Sequence, residues 1–208
     1  MSRRVAGVTL DDLDGLPPKC RRCVFWELAP HVRKQAEEFG QTALEKEAWV
    51  SSVLLEWGSC GRVLSVDGVT AGYAFYAPPA AVPGAATFPS APVSADAILL
   101  TALRVTEEFE HGGLGRVLVQ SVAKDLTRRG VAAIEAFGDL QENSAGCVIP
   151  AGFLQQVGFK TVRRHPRWPR LRLELRTAIS WKEDVEAALE RLLGSVSMHT
   201  AEPAFGRT

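Results

Sequence analysis

Three groups of residues in this chain have types and spacings suited to chemistry. The first is Gly112-Gly113-Leu114-Gly115, a glycine cluster between an apolar run, Ala97 to Val105, and an amphipathic run that ends at Arg129-Gly130. A helix start exposes backbone N–H groups without intrahelical partners at a positive dipole end, and glycine lets an anion approach that backbone closely. Such a turn suits the phosphates of a cofactor. The second is Glu135, an acid interrupting the apolar run Val131 to Phe137. Burial raises a carboxyl's proton affinity and suits it to proton transfer, while a satisfied carboxylate that orients nearby backbone is an equally open reading. The third is Cys20-Arg21-Arg22-Cys23, with Cys60 and Cys147 isolated. This is half of a zinc motif with His31 as the nearest spare ligand, so no metal site is expected and the thiols read as structural.

The elements around the glycines must position them. Ala97 to Val105 is nearly all apolar and reads as a strand buried on both faces. The helix that follows places Leu118, Val119, Val122, Ala123 and Leu126 on one stripe and keeps Gln120, Lys124, Asp125 and Arg128 off it. A second buried strand, Val131 to Phe137, completes a crossover unit with parallel strands. Spacing then discriminates among phosphate-binding turns. No Gly-Lys-Ser or Gly-Lys-Thr follows the glycines, which excludes a nucleotide-triphosphate loop. Gly113-Leu114-Gly115 echoes a dinucleotide fingerprint, with Glu135 twenty residues beyond Gly115. Leu118, however, replaces the third glycine, and six residues separate Val105 from Gly112 where a dinucleotide turn is tight.

Glu110-His111-Gly112-Gly113-Leu114-Gly115 resembles the acyl-coenzyme A loop of the GNAT acetyltransferase family, whose pattern is Arg or Gln, two variable residues, Gly, one variable residue, then Gly or Ala. The Leu103-Arg104-Val105 strand end, Arg116-Val117-Leu118 and the later Gly158-Phe159 also resemble that family, and the similarity covers roughly residues 60 to 176. Cys23-Val24-Phe25-Trp26-Glu27 resembles a bacterial branch of it. The implied fold class is α/β, or α+β in the strict sense, with a mixed central sheet flanked by helices. The implied cosubstrate is acetyl-CoA. Its pyrophosphate would be held by main-chain N–H groups from His111 to Arg116 and its pantetheine by the backbones of Leu103, Arg104 and Val105. Glu110 departs from the pattern, because an acid stands where Arg or Gln is usual and adds no favourable charge.

The resemblance implies N-acetyl transfer from the thioester to a primary amine of a small molecule or protein by direct attack in a ternary complex. Such chemistry requires a neutral amine beside the thioester, donors that polarise its carbonyl and a route for protons. Glu135, on the strand flanking the acyl gap, is the first candidate base. Glu27 is the second, because the first helix and its following loop line the acceptor pocket in that family. A tyrosine that often serves as the acid is replaced by Leu154, and Cys147, seven residues earlier on the matching helix, reads as packing. The alternative is a regulatory or interaction protein that binds the acyl-coenzyme with weak or no turnover.

Length and composition agree with one such domain. The chain has 208 residues, 46% of them hydrophobic, and equal counts of 24 basic and 24 acidic residues, which favour neither nucleic acid nor an anionic membrane as partner. No apolar run approaches a membrane span and no signal-peptide core is visible, so a cytoplasmic location is expected. A homodimer is compatible with this reading. Residues 1–178 are expected to form a single domain, with a Pro/Ala-rich insertion at 77–96 read either as a lid or as a passive linker. Residues 179–208 are expected to be a helix opened by the capping box Ser180-Trp181-Lys182-Glu183, followed by a tail. Val5 to Leu10 suggests an opening strand, Pro30 to Phe39 and Ala43 to Leu55 helices, and Asp67-Gly68 a hairpin turn. Lys160 to Arg164 and Leu171 to Leu175 suggest closing strands, the second alternating leucines with arginines read as a solvated face.

Overall fold

The two-residue period of the strands and the 3.6-residue period of the helices set the layers of the computed structural model, which describes residues 2–110, 112–141 and 147–175. The first half of the chain holds β1 (Arg3–Gly7), α1 (Pro18–Arg21), α2 (Pro30–Glu38), α3 (Thr42–Trp57), β2 (Gly61–Val66), β3 (Val69–Ala77) and β4 (Ala97–Val105). After these come α4 (Leu114–Arg128), β5 (Ala133–Asp139), β6 (Ile149–Pro150), α5 (Ala151–Gln156), β7 (Lys160–Arg163) and β8 (Arg170–Glu174). The helix expected beyond residue 179 lies outside the described residues, as does His111. Among the described residues, no helix is long and apolar enough to cross a membrane.

The strands run in the order β1-β2-β3-β4-β5-β8-β7, with β6 paired to β5. The crossover predicted around α4 is present, for β4 and β5 are parallel neighbours. They pair only from Ala97 to Leu99 against Ala133 to Glu135, after which β4 continues to Val105 without β5 beside it. A bulge contributes to this divergence. Phe75 pairs with Ala102 and Tyr76 with Leu100, so Thr101 is the extra residue, and its hydroxyl donates to the Phe75 carbonyl at 3.1 Å. An extra residue bends its strand and raises the local twist.

Two apolar layers cover the sheet. Leu114, Leu118, Val119, Val122 and Leu126 of α4 pack with Leu154 of α5 and with Ile134, Ala136 and Leu171 on one face. On the other, Trp49, Val50 and Val53 of α3 pack with Trp26, Phe75, Leu99 and Phe137. Leu44 and Leu55 of α3 are exposed and lie off its buried stripe. The buried stripe is Lys46, Trp49, Val50 and Val53, a spacing of i, i+3, i+4 and i+7.

The Pro/Ala-rich segment packs into the core. It makes two short 3-10 turns, Pro79–Ala81 and Pro83–Thr87, and buries Val82, Ala85 and Phe88. Phe88 stacks on Trp26 at 5.0 Å and on Phe137 at 4.4 Å between ring centroids. Gly84 donates its N–H to the Trp26 carbonyl at 3.1 Å, and a Cβ on Gly84 would stand 2.2 Å from the Phe25 carbonyl oxygen. Only glycine admits so close an approach of two backbones.

Asp125, expected on the solvated side of α4, is buried. It accepts a hydrogen bond from the Tyr76 hydroxyl at 2.8 Å and pairs with Arg62 and Arg129. Burial pushes its carboxyl up, but the Tyr76 hydrogen bond and the two guanidinium groups outweigh this and hold it below the usual carboxylate range. A depressed folded value means that the stabilisation is complete above the unfolded pKa and is lost as pH falls through the folded one. Stability in urea should therefore decline as pH falls below about 4, and Asp125→Asn should flatten that limb while lowering stability at neutral pH.

Candidate active site

The glycine turn is built for its place at the start of α4. Gly113 has φ +73°, the left-handed region, with open space where a Cβ would stand, so backbone conformation alone calls for glycine there. Gly115 answers a different need: its Cβ would meet the Phe153 ring at 3.0 Å, so its absence lets α5 pack against the first turn of α4. Gly113, Leu114, Gly115 and Arg116 of this helix start line a cavity.

That cavity, about 690 Å³, runs from the glycine turn along the free end of β4 to the cysteines near α1. Of the residues predicted to hold a coenzyme, Leu103, Arg104, Val105, Glu110, Gly113, Leu114, Gly115 and Arg116 line it. Gly112 is next to this wall but does not line it, and His111 lies outside the described residues. Arg116 donates to the Gln156 carbonyl at 3.1 Å, which ties the turn to the end of α5.

Opposite the glycine turn, Cys20, Cys23, Glu27, Lys46, Tyr73 and Cys147 form the far wall. Glu27, the second candidate base, is buried and ion-paired with Lys46, whose ammonium also donates to the Cys23 carbonyl at 3.2 Å. Lys46 sits 4.7 Å from the centroid of the Phe75 ring as well. Sequence reasoning missed Lys46, although its place in the buried stripe of α3 was the available signal. Tyr73 is a second omission. Burial, then a hydrogen bond to Cys20, pushes its phenol well above the ordinary range, so the hydroxyl keeps its proton at neutral pH.

Glu135 is not in this wall. It is fully buried, with Arg170 at 3.4 Å, Arg172 at 3.2 Å and the Ser94 N–H at 3.1 Å. Both of its carboxylate oxygens are engaged by these partners, and it does not line the cavity. The reading of a satisfied structural carboxylate describes what is seen. The β8 arginines, expected to be a solvated face, are its partners: Arg170 and Arg172 have side chains only 12% and 14% exposed. Hydrogen bonds to Asp96, then Glu174, then Glu135 raise the proton affinity of Arg172 further, fixing it as a cation.

Leu154 is buried in the α4 layer and offers no proton. Cys147 lies just before β6 rather than on a helix. Its sulfur is 2.6 Å from that of Cys23. Among the described residues, no group of His, Cys, Asp and Glu is arranged to hold a metal ion.

No family model matches the sequence, and no curated protein does. Solved structures do resemble the fold. An N-acetyltransferase from Staphylococcus aureus shares 15% identity over 84% of this chain and 99% of its own, with a TM-score of 0.57. The PaiA N-acetyltransferase from Thermoplasma acidophilum, solved in complex with coenzyme A, shares 15% identity over the same shares of the two chains at 0.54. The GNAT-family N-acetyltransferase YhbS from Escherichia coli, in complex with CoA, shares 20% identity over 83% and 81% at 0.50. This chain has the mixed α/β fold of the GNAT acyltransferases.

Proposed function

We propose that this chain is a GNAT-type N-acetyltransferase that binds acetyl-CoA and passes its acetyl group to a primary amine of a small molecule or protein by direct attack. The observation that carries this reading is the continuity of one cavity from the Gly113 turn, past the free edge of β4, to a wall of acidic, basic and hydroxyl groups. Main-chain N–H groups at Leu114 and Gly115 take the pyrophosphate, and the dipole of α4 favours its charge. Beyond its pairing with β5, which stops at Leu99, the β4 segment from Leu100 to Val105 offers backbone groups to the pantetheine amides, as a neighbouring strand would.

Glu27 serves this reading as the base toward the incoming ammonium, with Lys46 balancing its charge and holding it in place. Tyr73 supplies a hydroxyl proton toward the leaving thiolate. Coenzyme A bound in complexes of similar fold supports the choice of cosubstrate. A cytoplasmic location and a homodimer belong to the same proposal. Thiol release from acetyl-CoA with a panel of amines, compared between wild type, Glu27→Gln and Tyr73→Phe, tests the reaction, and calorimetry with coenzyme A tests binding. Failure to bind coenzyme A sinks the reading.

The second reading, a coenzyme-binding protein without turnover, is favoured by the engaged state of Glu27 and by Leu154. Tight coenzyme binding with no thiol release for any amine would establish it.

Glu110 supplies a prediction of opposite sign to most active-site changes. Its carboxylate lines the cavity beside the pyrophosphate position, so Glu110→Gln should tighten coenzyme A binding about two- to fivefold at low salt. The gain should shrink as ionic strength rises, because exposed charges are screened.

A further inference from the structure

Cys23 and Cys147 are 124 positions apart in the sequence, yet their sulfurs lie 2.6 Å from each other, inside the contact distance of two non-bonded sulfurs. A covalent bond between them needs a separation of about 2.05 Å, a small closure. Two further ties hold the segments together beside this contact. The Trp26 indole N–H donates to the Cys147 carbonyl at 3.0 Å, and Lys46 donates to the Cys23 carbonyl. Both thiols are half-buried and both line the cavity, so a small molecule in that cavity reaches them. The remaining cysteines behave otherwise. Cys60 is fully buried, which pushes its thiol up to about 12, and Cys20 hydrogen-bonds Tyr73.

We propose that Cys23 and Cys147 are a dithiol–disulfide pair, oxidised by low-molecular-weight disulfides that enter the acyl cavity, with coenzyme A disulfide as the preferred oxidant. The pair itself rests on geometry alone, and the preference for coenzyme A disulfide rests on the proposed function. Cys23 is the attacking group. The hydrogen bond shared with Cys147 lowers its thiol to about 7 against the opposing effect of burial, whereas Cys147 is held high. An attacking thiol titrating near ambient pH combines thiolate population with nucleophilicity.

The exchange balances in two steps. The Cys23 thiolate attacks one sulfur of coenzyme A disulfide; the sulfur–sulfur bond breaks, one coenzyme A thiolate leaves, and Cys23 carries a mixed disulfide. Cys147 then passes its proton to the departed thiolate and attacks the Cys23 sulfur, expelling the second coenzyme A as a thiolate that takes a proton from water. Two protein thiols are oxidised by two electrons, and one small disulfide is reduced to two thiols. Seating the coenzyme on the glycine turn raises the local concentration of its sulfur at Cys23, which an untethered disulfide lacks.

The reduced full-length protein is incubated separately with coenzyme A disulfide and with glutathione disulfide, and peptides are mapped by mass spectrometry. The expected result is a peptide pair linked through Cys23 and Cys147, formed about tenfold or more faster with coenzyme A disulfide at equal concentration. C147S should stop at a coenzyme adduct on Cys23, C23S should give neither adduct nor cross-link, and C20S should behave as wild type. Absence of the Cys23–Cys147 peptide with both oxidants, in protein of native circular dichroism, overturns the pair. Equal rates with the two disulfides overturn the coenzyme preference and support the pair. Calorimetry of C147S with coenzyme A reports separately on the proposed function.

Discussion

Glu135→Ala is expected to lower the free energy of unfolding by about 3–5 kcal/mol, because it leaves two guanidinium groups buried without their shared anion. Arg172 would keep Asp96 and Glu174, both half-exposed, but Arg170 would lose the acid it faces. The Ser94 N–H would also lose its acceptor, loosening the end of the Pro/Ala-rich segment. Glu135→Gln keeps the volume and one acceptor oxygen but not the charge, so it should cost less than alanine. Denaturant titration of both variants measures this directly. A catalytic Glu135 would give the reverse pattern, with lost turnover at unchanged stability in Glu135→Gln. That result would refute the structural assignment.

Trp26→Ala is the second large effect, at about 3–5 kcal/mol for deleting a buried tryptophan. The ring is sandwiched between Phe25 at its edge and Phe88 on its face, with Phe137 stacked at 6.1 Å. Its removal leaves a cavity that Phe88 cannot fill, since Gly84 holds that segment by the backbone. The indole N–H bond to Cys147 goes too. Trp26→Phe retains an aromatic stack and removes that hydrogen bond, for an expected cost of about 1–2 kcal/mol. Comparing thermal midpoints of the two variants separates packing from hydrogen bonding, and equal midpoints would contradict the stack as the main source of stability.

The parts of the fold written locally in the chain were legible. Strand β4 has the predicted limits, Ala97 to Val105, and α4 buries the predicted Leu118, Val119, Val122 and Leu126, because periodicity and the flanking glycines fix both elements within a few residues. Most residues that the resemblance to an acyl-coenzyme A loop implies as contacts line one cavity. What was not legible depends on residues far apart in sequence. The partners of Glu135 come from β8 and from Ser94, and nothing near position 135 announces them. Asp125 looked solvated because its neighbours on α4 are polar, whereas Tyr76 and Arg62 reach it from the sheet. Lys46 occupies an apolar position of α3 because Glu27, nineteen residues earlier, neutralises it. Cys147 was placed on a helix, and only the tertiary structure sets it against Cys23.

The arginine–leucine alternation of β8 has a consequence for how the sheet closes during folding. Leu171 sits opposite Ala136 in the apolar layer beneath α4, while Arg170 and Arg172 project to the other side and meet Glu135. A slip of one residue would turn both arginines into the leucine layer and set an aliphatic side chain against a fully buried carboxylate. Each error is costly, and the two arise together. The last antiparallel pairing of the core is therefore self-checking, with the charge cluster rejecting the near-miss alignment that apolar packing on a single face would tolerate.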